Sequence, residues 1–449
     1  MFKKVLVANR GAVAARVIRA LRQMGIASVA VHSEADAGLP YLAQADEAHA
    51  IGPAAPQQSY LNQQRLLQLM QDTGCDALHP GYGFLSENAG FASAVHAAGA
   101  TFIGPSPRWI EAMGHKTRAR ALMAAHGMPV APSTEVLHQL DEAALTQARA
   151  IGFPVLVKPA GGGGGIGMLP ARDEAELQRA FAQATSVATR SFGSADLYLE
   201  KLVEQPRHIE FQILADRHGS VRHVFERDCS VQRRHQKVIE ESPAPGLPRD
   251  EALAMARHVA GLLQGLGYDV IGTVEMLYTP ALGFMFLEMN TRLQVEHAVT
   301  EAVCGIDLVQ AQVRLAAGER LDAVLPDEIQ PRGHAIEARI YAEDPVRFFP
   351  SPGLLERLNL PAGPGLRVET GYAAGCRVTP DYDPLVAKLI AHADTRAGAI
   401  ERLRAALHAT DIAGVKTNIP FLLRMLDQSD FAQGRVHTGL AQHLLAAPA

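Results

Sequence analysis

The chain has 449 residues, about three times the usual length of one domain, so a large buried core and roughly two to four domains are expected. Forty-two Lys and Arg against forty-seven Asp and Glu leave a formal net charge of −5, with 48% hydrophobic and 20% charged residues. This balance is that of an ordinary globular protein, and it creates no field toward phosphate backbones or anionic lipid, so neither nucleic acid nor a membrane surface is an expected partner.

The first hundred residues alternate short apolar runs with helical patterns: Val5 to Ala8, Val13 to Leu21, Val29 to Val31, Leu61 to Met70, Ala77-Leu78, Phe91 to Val95 and Phe102-Ile103. Such alternation predicts a parallel α/β layer. Asn9-Arg10-Gly11 follows the first strand like a dinucleotide-fold turn, but the three-glycine fingerprint is missing. A helix is predicted over Lys116 to Ala125, with Gly127, Pro129 and Pro132 marking a boundary. Val130 to about Val203 reads as a compact strand-helix unit. Strands follow at Ile209 to Leu214, Val221 to Phe225, Gly272 to Leu277 and Phe284 to Met289, with a helix near Glu251 to Leu266. From Gly333 the pattern is strand-like, before a helix from Thr395 to Leu407.

The four cysteines, Cys75, Cys229, Cys304 and Cys376, are far apart and form no zinc-like spacing. Reduced thiols in the cytoplasm are expected. No secretory segment fits before Asn9, and no run of eighteen apolar residues predicts a membrane span.

Three stretches carry chemistry. Gly161 to Gly165, Ile166 and Gly167 follow a strand bearing Lys158; a flexible linker is one reading, and a glycine hairpin whose N–H groups close over phosphates is the other. The strand favours the hairpin. In the second stretch, Glu288, Asn290, Arg292, Gln294 and Glu296 fall on alternate residues after an apolar run, so an extended chain would line them along one side. A solvated strand alternates identically, but hard oxygen ligands beside cations also suit a metal and an anion, and Glu275 on a second apolar strand adds a carboxylate. The third, Arg233-Arg234-His235-Gln236-Lys237, reads alone as an exposed loop and gains meaning beside the other two.

These stretches, with His79-Pro80-Gly81-Tyr82-Gly83-Phe84-Leu85-Ser86-Glu87-Asn88, Glu226 to Glu241 and His334-Ala335-Ile336-Glu337-Ala338-Arg339, resemble in order the biotin carboxylase branch of the ATP-grasp enzymes over essentially the whole chain. The resemblance implies α/β and α+β architecture: a Rossmann-like N-terminal domain over 1–114, an ATP-grasp domain over 115–330 with a mobile glycine-rich lid at about 130–203, and a mixed α+β C-terminal domain over 331–449.

It also implies a reaction, in which MgATP phosphorylates bicarbonate to carboxyphosphate and the carboxyl group then passes to the ureido nitrogen of biotin. Lys116, Lys158, the lid glycines Gly163, Gly164 and Gly165, Glu200, Lys201, Val203, His208, Gln232 and His235 would bind ATP. Glu275, Glu288 and Asn290 would hold Mg²⁺, with Mn²⁺ as a substitute. Lys237, Arg292, Gln294 and Val295 would hold bicarbonate, and Glu296 would take its proton. Arg339 would stabilise the biotin enolate, with Tyr82 and Asp383 near the ring.

No methionine precedes a lysine, so the biotin-accepting pattern is missing. The expectation is a stand-alone subunit, homodimeric, acting on a biotin carboxyl carrier protein beside a carboxyltransferase, within an acyl-CoA carboxylase of fatty acid biosynthesis. Ile166 departs from the Arg or Lys that the family carries in the lid. Two other classes compete: a ligase forming a different acyl phosphate, and a nucleotide-binding regulatory subunit without turnover.

Overall fold

A computed structural model describes residues 1–161 and 166–446, so the expected lid glycines Gly163, Gly164 and Gly165 lie outside the described residues.

The chain opens with β1 (Lys4–Val7), α1 (Gly11–Gln23), β2 (Ala27–Ser33), β3 (Glu47–Gly52), α2 (Gln63–Asp72), β4 (Ala77–His79), α3 (Ala89–Ala97) and β5 (Thr101–Phe102). The five strands form one parallel sheet in the order β3-β2-β1-β4-β5; four of them lie on the apolar runs that predict a parallel layer, and β3 is not anticipated. Val5, Leu6 and Val7 are wholly buried because helices cover both faces of a parallel sheet. The side chains of Asn62 and Asn88 accept from the N–H groups of Arg65 and Phe91, and these caps start α2 and α3.

Helices α4 (Pro107–Gly114) and α5 (Lys116–Ala125) lead to α6 (Glu142–Ile151), β6 (Val155–Pro159), β7 (Leu169–Ala171), α7 (Glu174–Phe192) and β8 (Leu197–Lys201). β6 lies between β7 and β8 in a small antiparallel sheet, with Lys158 opposite Tyr198 and Leu156 opposite Glu200. Asp173 caps α7 and Gly193, at φ 70°, ends it. The strand-helix unit anticipated over Val130 to Val203 is therefore present.

Next come β9 (Arg207–Ala215), β10 (Val221–Arg233), β11 (Gln236–Ser242), α8 (Arg249–Leu266), β12 (Val270–Thr279), β13 (Gly283–Asn290), α9 (His297–Cys304), α10 (Leu308–Ala316) and α11 (Leu321–Val324). The last stretch holds β14 (His334–Tyr341), β15 (Gly353–Leu354), β16 (Arg357–Asn359), β17 (Leu366–Thr370), β18 (Arg377–Val378), β19 (Leu385–Ala393), α12 (Arg396–Ala409), β20 (Asp411–Ala413), α13 (Ile419–Leu426), α14 (Ser429–Ala432) and α15 (Leu440–Ala446). Eight of these strands make one antiparallel sheet in the order β13-β12-β9-β10-β11-β14-β19-β17. Strands on either side of residue 331 thus share a sheet, through the pairing of β11 with β14.

Two expectations need correction. The alternation from Glu288 to Glu296 is not one extended strand: β13 stops at Asn290, residues 291–296 form a loop, and α9 begins at His297. The basic run is an exposed loop only at Arg234 and His235. Arg233 and Lys237 flank the tight β10–β11 turn, and both side chains point into ion pairs.

Candidate active site

In-register residues on neighbouring strands project to the same face. Glu210 of β9 is opposite Glu275 of β12, which is opposite Glu288 of β13, so three carboxylates stand in a row across three strands. His208 and Gln212 share the face of Glu210 by the two-residue repeat.

One ammonium bridges to this row. Lys237 Nζ lies 2.6 Å from Glu210 Oε2, 2.8 Å from Glu275 Oε1 and 2.7 Å from Glu296 Oε1. Burial disfavours its charge, but the three carboxylates outweigh that and hold the ammonium well above its ordinary range. Arg227, fully buried, donates from Nε to Glu210 Oε1 at 2.5 Å and from Nη1 to Gln212 Oε1 and Thr300 Oγ1, both at 2.9 Å.

Glu296, 1% exposed, immediately precedes α9. Its Oε1 meets Lys237, and its Oε2 accepts from Arg339 Nη2 at 3.0 Å. Burial pushes its pKa up, yet Lys237, Arg339 and Arg227 together hold it well below the usual carboxylate range. Arg339 is itself clamped, with Nε 2.6 Å from Glu240 Oε1. Glu240 and Glu337 face each other across β11 and β14, both wholly buried. Burial drives both carboxyls upward against the opposing pull of Arg339 and Lys388, so the pair favours holding a proton.

The loop after β13 is held from both ends. Arg292 donates from Nε to Glu87 Oε2 at 2.7 Å, from Nη2 to Asn290 Oδ1 at 2.7 Å and from Nη1 to Gln294 Oε1 at 3.0 Å. Asn290 Nδ2 and Gln294 Nε2 donate to Glu275 Oε1 at 2.9 and 3.1 Å. Lys388 Nζ, buried on β19, donates to the carbonyl of Val295.

Lys116 Nζ is 3.2 Å from Glu288 Oε2. His208 Nδ1 meets Gln232 Nε2 at 2.8 Å, and its Nε2 is 2.9 Å from Glu275 Oε2. Lys158 Nζ and Arg120 Nη1 approach the two oxygens of Glu200 at 3.2 and 2.5 Å. The structure therefore brings His208, Gln232, Lys237, Glu275, Asn290, Arg292, Gln294, Glu296 and Arg339 into one connected network, and sets the Lys116–Glu288 pair beside it through the register of β12 and β13. Lys158 and Glu200 belong to the separate β6–β8 sheet. Lys201 turns back to donate to the carbonyls of Gly152 and Phe153 at 2.9 and 3.0 Å; Val203 is buried, and His235 is exposed at the hairpin tip. Tyr82 is half-buried and Asp383 exposed.

Glu210, Arg120, Glu240 and Lys388 received no individual role from the sequence. Alternation of charge along an otherwise apolar strand was the available signal for Glu210, in His208-Ile209-Glu210-Phe211-Gln212.

A parallel nucleotide-fold sheet, a small separate sheet and a large antiparallel sheet carrying a carboxylate–lysine cluster define an ATP-dependent carboxylating ligase of ATP-grasp architecture. Residues 1–110 match the biotin carboxylase N-terminal domain, 115–324 the ATP-binding domain of the carbamoyl-phosphate synthase L chain, and 337–443 the biotin carboxylase C-terminal domain. The chain belongs to the biotin carboxylase family. It is 50% identical to the biotin carboxylase of Halalkalibacterium halodurans, over 99% of this chain and 98% of that one. It is 47% identical to biotin carboxylase 2 of Bacillus subtilis, over 99% and 100%. Among solved structures, the biotin carboxylase domain dimer of Hydrogenobacter thermophilus 2-oxoglutarate carboxylase, in complex with MgADP, ADP and bicarbonate, superposes with a TM-score of 0.94 at 44% identity, covering all of both chains. Among the described residues, no helix is long and apolar enough to cross a membrane.

Proposed function

We propose that this chain carboxylates biotin on a separate carrier protein, using bicarbonate and ATP through carboxyphosphate, as one component of an acyl-CoA carboxylase. The observation carrying this reading is the Glu296 carboxylate held between Lys237 and Arg339, one cation on each of its oxygens.

In this reading Lys237, Arg292, Gln294 and the N–H of Val295 hold bicarbonate, and Glu296 removes its proton. Lys237 and Arg339 keep Glu296 ionised but also weaken it as a base. A bicarbonate oxygen that takes over a hydrogen bond from Lys237 relieves part of that weakening, so the substrate raises the basicity of the group that deprotonates it. Lys116, Lys158, His208, Gln232 and His235 neutralise or contact ATP, with Glu200, Lys201 and Val203 along the adenine side and Gly163, Gly164 and Gly165 over the phosphates. Tyr82, Asp383 and Arg339 receive biotin.

Glu275 and Glu288, in register on adjacent strands, and Asn290 Oδ1 are the hard oxygen donors that Mg²⁺ requires, so the donor set fits that ion. When bound, Mg²⁺ supplies charge neutralisation at the phosphates. Division of the chain at 114 and 330, with a lid at about 130–203, belongs to this reading: the parallel sheet ending at Phe102 supports the first boundary and the separate β6–β8 sheet supports the lid, whereas the boundary at 330 crosses the shared antiparallel sheet.

A homodimer is supported by the dimer of the H. thermophilus relative. The relatives include a subunit of methylcrotonoyl-CoA carboxylase, whose acceptor is an acyl-CoA, and subunits of pyruvate and 2-oxoglutarate carboxylases; the acyl-CoA assignment is tested against the latter two by which carrier and carboxyltransferase copurify with the chain. The reaction itself is tested by phosphate release from MgATP with and without bicarbonate and free biotin. Bicarbonate-dependent, biotin-stimulated release supports the reading, and release that responds to neither refutes it. Arg339→Ala is expected to depress biotin carboxylation more than ATP cleavage; equal loss of both removes Arg339 from the biotin step.

A further inference from the structure

The Asn9-Arg10-Gly11 turn stands where a dinucleotide fold would receive a phosphate, but its groups are engaged with the protein. Asn9 is 2% exposed; its Nδ2 donates to the carbonyls of Pro80 at 2.7 Å and Tyr82 at 2.8 Å, and its Oδ1 accepts from Arg10 N at 2.9 Å. The backbone of Gly371 passes so close that a Cβ there would stand 2.3 Å from the carbonyl carbon of Gly11. No room remains above the turn for a phosphate.

Arg10 reaches the other end of the chain. Its Nε and Nη2 bridge the two oxygens of Asp36, both at 2.6 Å, and Nη2 also donates to Tyr372 OH at 3.1 Å. Its guanidinium lies 4.4 Å from the centroid of the Tyr382 ring, the neighbour of Asp383. That ring meets Tyr60 and Phe84 edge-on at 5.4 and 6.2 Å, and Phe84 belongs to the same loop as Tyr82. One turn therefore grips the loop bearing Tyr82 and the segment bearing Asp383, which are about three hundred residues apart in the sequence.

We propose that Asn9 and Arg10 are positioning residues for the biotin end of the site, setting Tyr82 and the Tyr382-Asp383 segment at the spacing the biotin ring requires. The proposal rests on the biotin carboxylase reading of Tyr82, Asp383 and Arg339. Neither residue touches a reactant in it. A rigid two-point grip matters because a small displacement of a binding wall is felt in ground-state affinity and orientation.

The test separates two reactions of the full chain: bicarbonate-dependent ATP cleavage without biotin, and its stimulation by free biotin. Asn9→Asp preserves shape but turns a carboxylate oxygen against two carbonyls. It is expected to raise the KM for biotin about tenfold, equivalent to about 1.4 kcal/mol, while the KM for ATP and biotin-free turnover stay within about twofold. Arg10→Lys keeps the charge but cannot bridge both Asp36 oxygens and Tyr372, so a smaller rise in biotin KM is expected. If Asn9→Asp does not fold, Arg10→Lys and Tyr382→Leu, which removes the ring that Arg10 faces, make the same comparison. An unchanged biotin KM, or equal losses in both reactions, overturns the proposal. Absence of biotin stimulation in the unsubstituted chain overturns the underlying reading of the site, and the proposal with it.

Discussion

Two charge clusters in this protein are built from the same residue types and differ in arrangement. Between α1, α9, β17 and β19, four cations, Arg16, Arg19, Arg367 and Lys388, meet four carboxylates, Glu301, Asp307, Glu337 and Glu369. At the candidate active site one ammonium, Lys237, is shared by three carboxylates, with Arg227 on Glu210, Arg339 on Glu296 and Lys116 on Glu288 around it. The first cluster joins elements distant in sequence, with Arg16 and Glu301 only 3–4% exposed. The second converges on a single cation, so its carboxylates depend on one shared partner. Buried ion pairs add little net stability, but removing one partner is costly, so the clusters should fail differently when broken.

The largest expected effect is at the candidate active site. Glu296→Gln should lower bicarbonate-dependent ATP cleavage by about a hundredfold or more while ATP affinity is retained. Steady-state phosphate release and nucleotide titration measure the two, and unchanged turnover would remove Glu296 as the base. Next, Arg16→Met should leave Glu301, Asp307 and Glu369 short of a cation and cost about 3–5 kcal/mol of stability. Denaturant unfolding reads that loss, and KM values for ATP and bicarbonate should not move. A variant that lost substrate affinity without losing stability would erase the distinction between the clusters.

A smaller effect concerns pH. In the folded chain, burial and the charges of Glu337 and Glu296 raise the Glu240 carboxyl to about 8, whereas its ordinary value is 4.5. The folded state thus keeps a proton that the unfolded state releases between those values, and its stability falls as pH rises through that window. Glu240→Gln should flatten the decline, as seen in melting temperature against pH. Glu296 has the opposite sign: its lowered pKa contributes stability above about pH 4.5 that is lost on acidification. The smallest effect is expected at Ile166, which is 51% exposed. Ile166→Arg should lower the KM for ATP about two- to fivefold, in keeping with the modest worth of an exposed charge contact.

Much of the fold was legible in local patterns. Four strands of the parallel sheet, β1, β2, β4 and β5, the helix at Lys116–Ala125 and the helix capped by Thr395 follow from apolar period and capping residues, whereas β3 carries no apolar run. Helices α9 and α10 escaped that reading because nearly all their residues are buried, which erases the polar face that marks a surface helix. The site was visible as residue types, yet its geometry was misread between Asn290 and Glu296. Alternation suggested an extended chain, and the convergence actually comes from a loop tied to Glu87, Glu275 and Lys388.

By itself, the amino-acid sequence determined much of the order of elements, the family resemblance and the list of groups proposed to hold ATP, Mg²⁺ and bicarbonate, because period, capping and motif spacing are properties of short segments. Only the tertiary structure decided that Glu210 and Lys237 share one network, that Arg339 spans Glu240 and Glu296, and that Arg10 meets Tyr372 and Tyr382. Those relations depend on strand register and on contacts between residues tens to hundreds of positions apart, which local patterns do not specify.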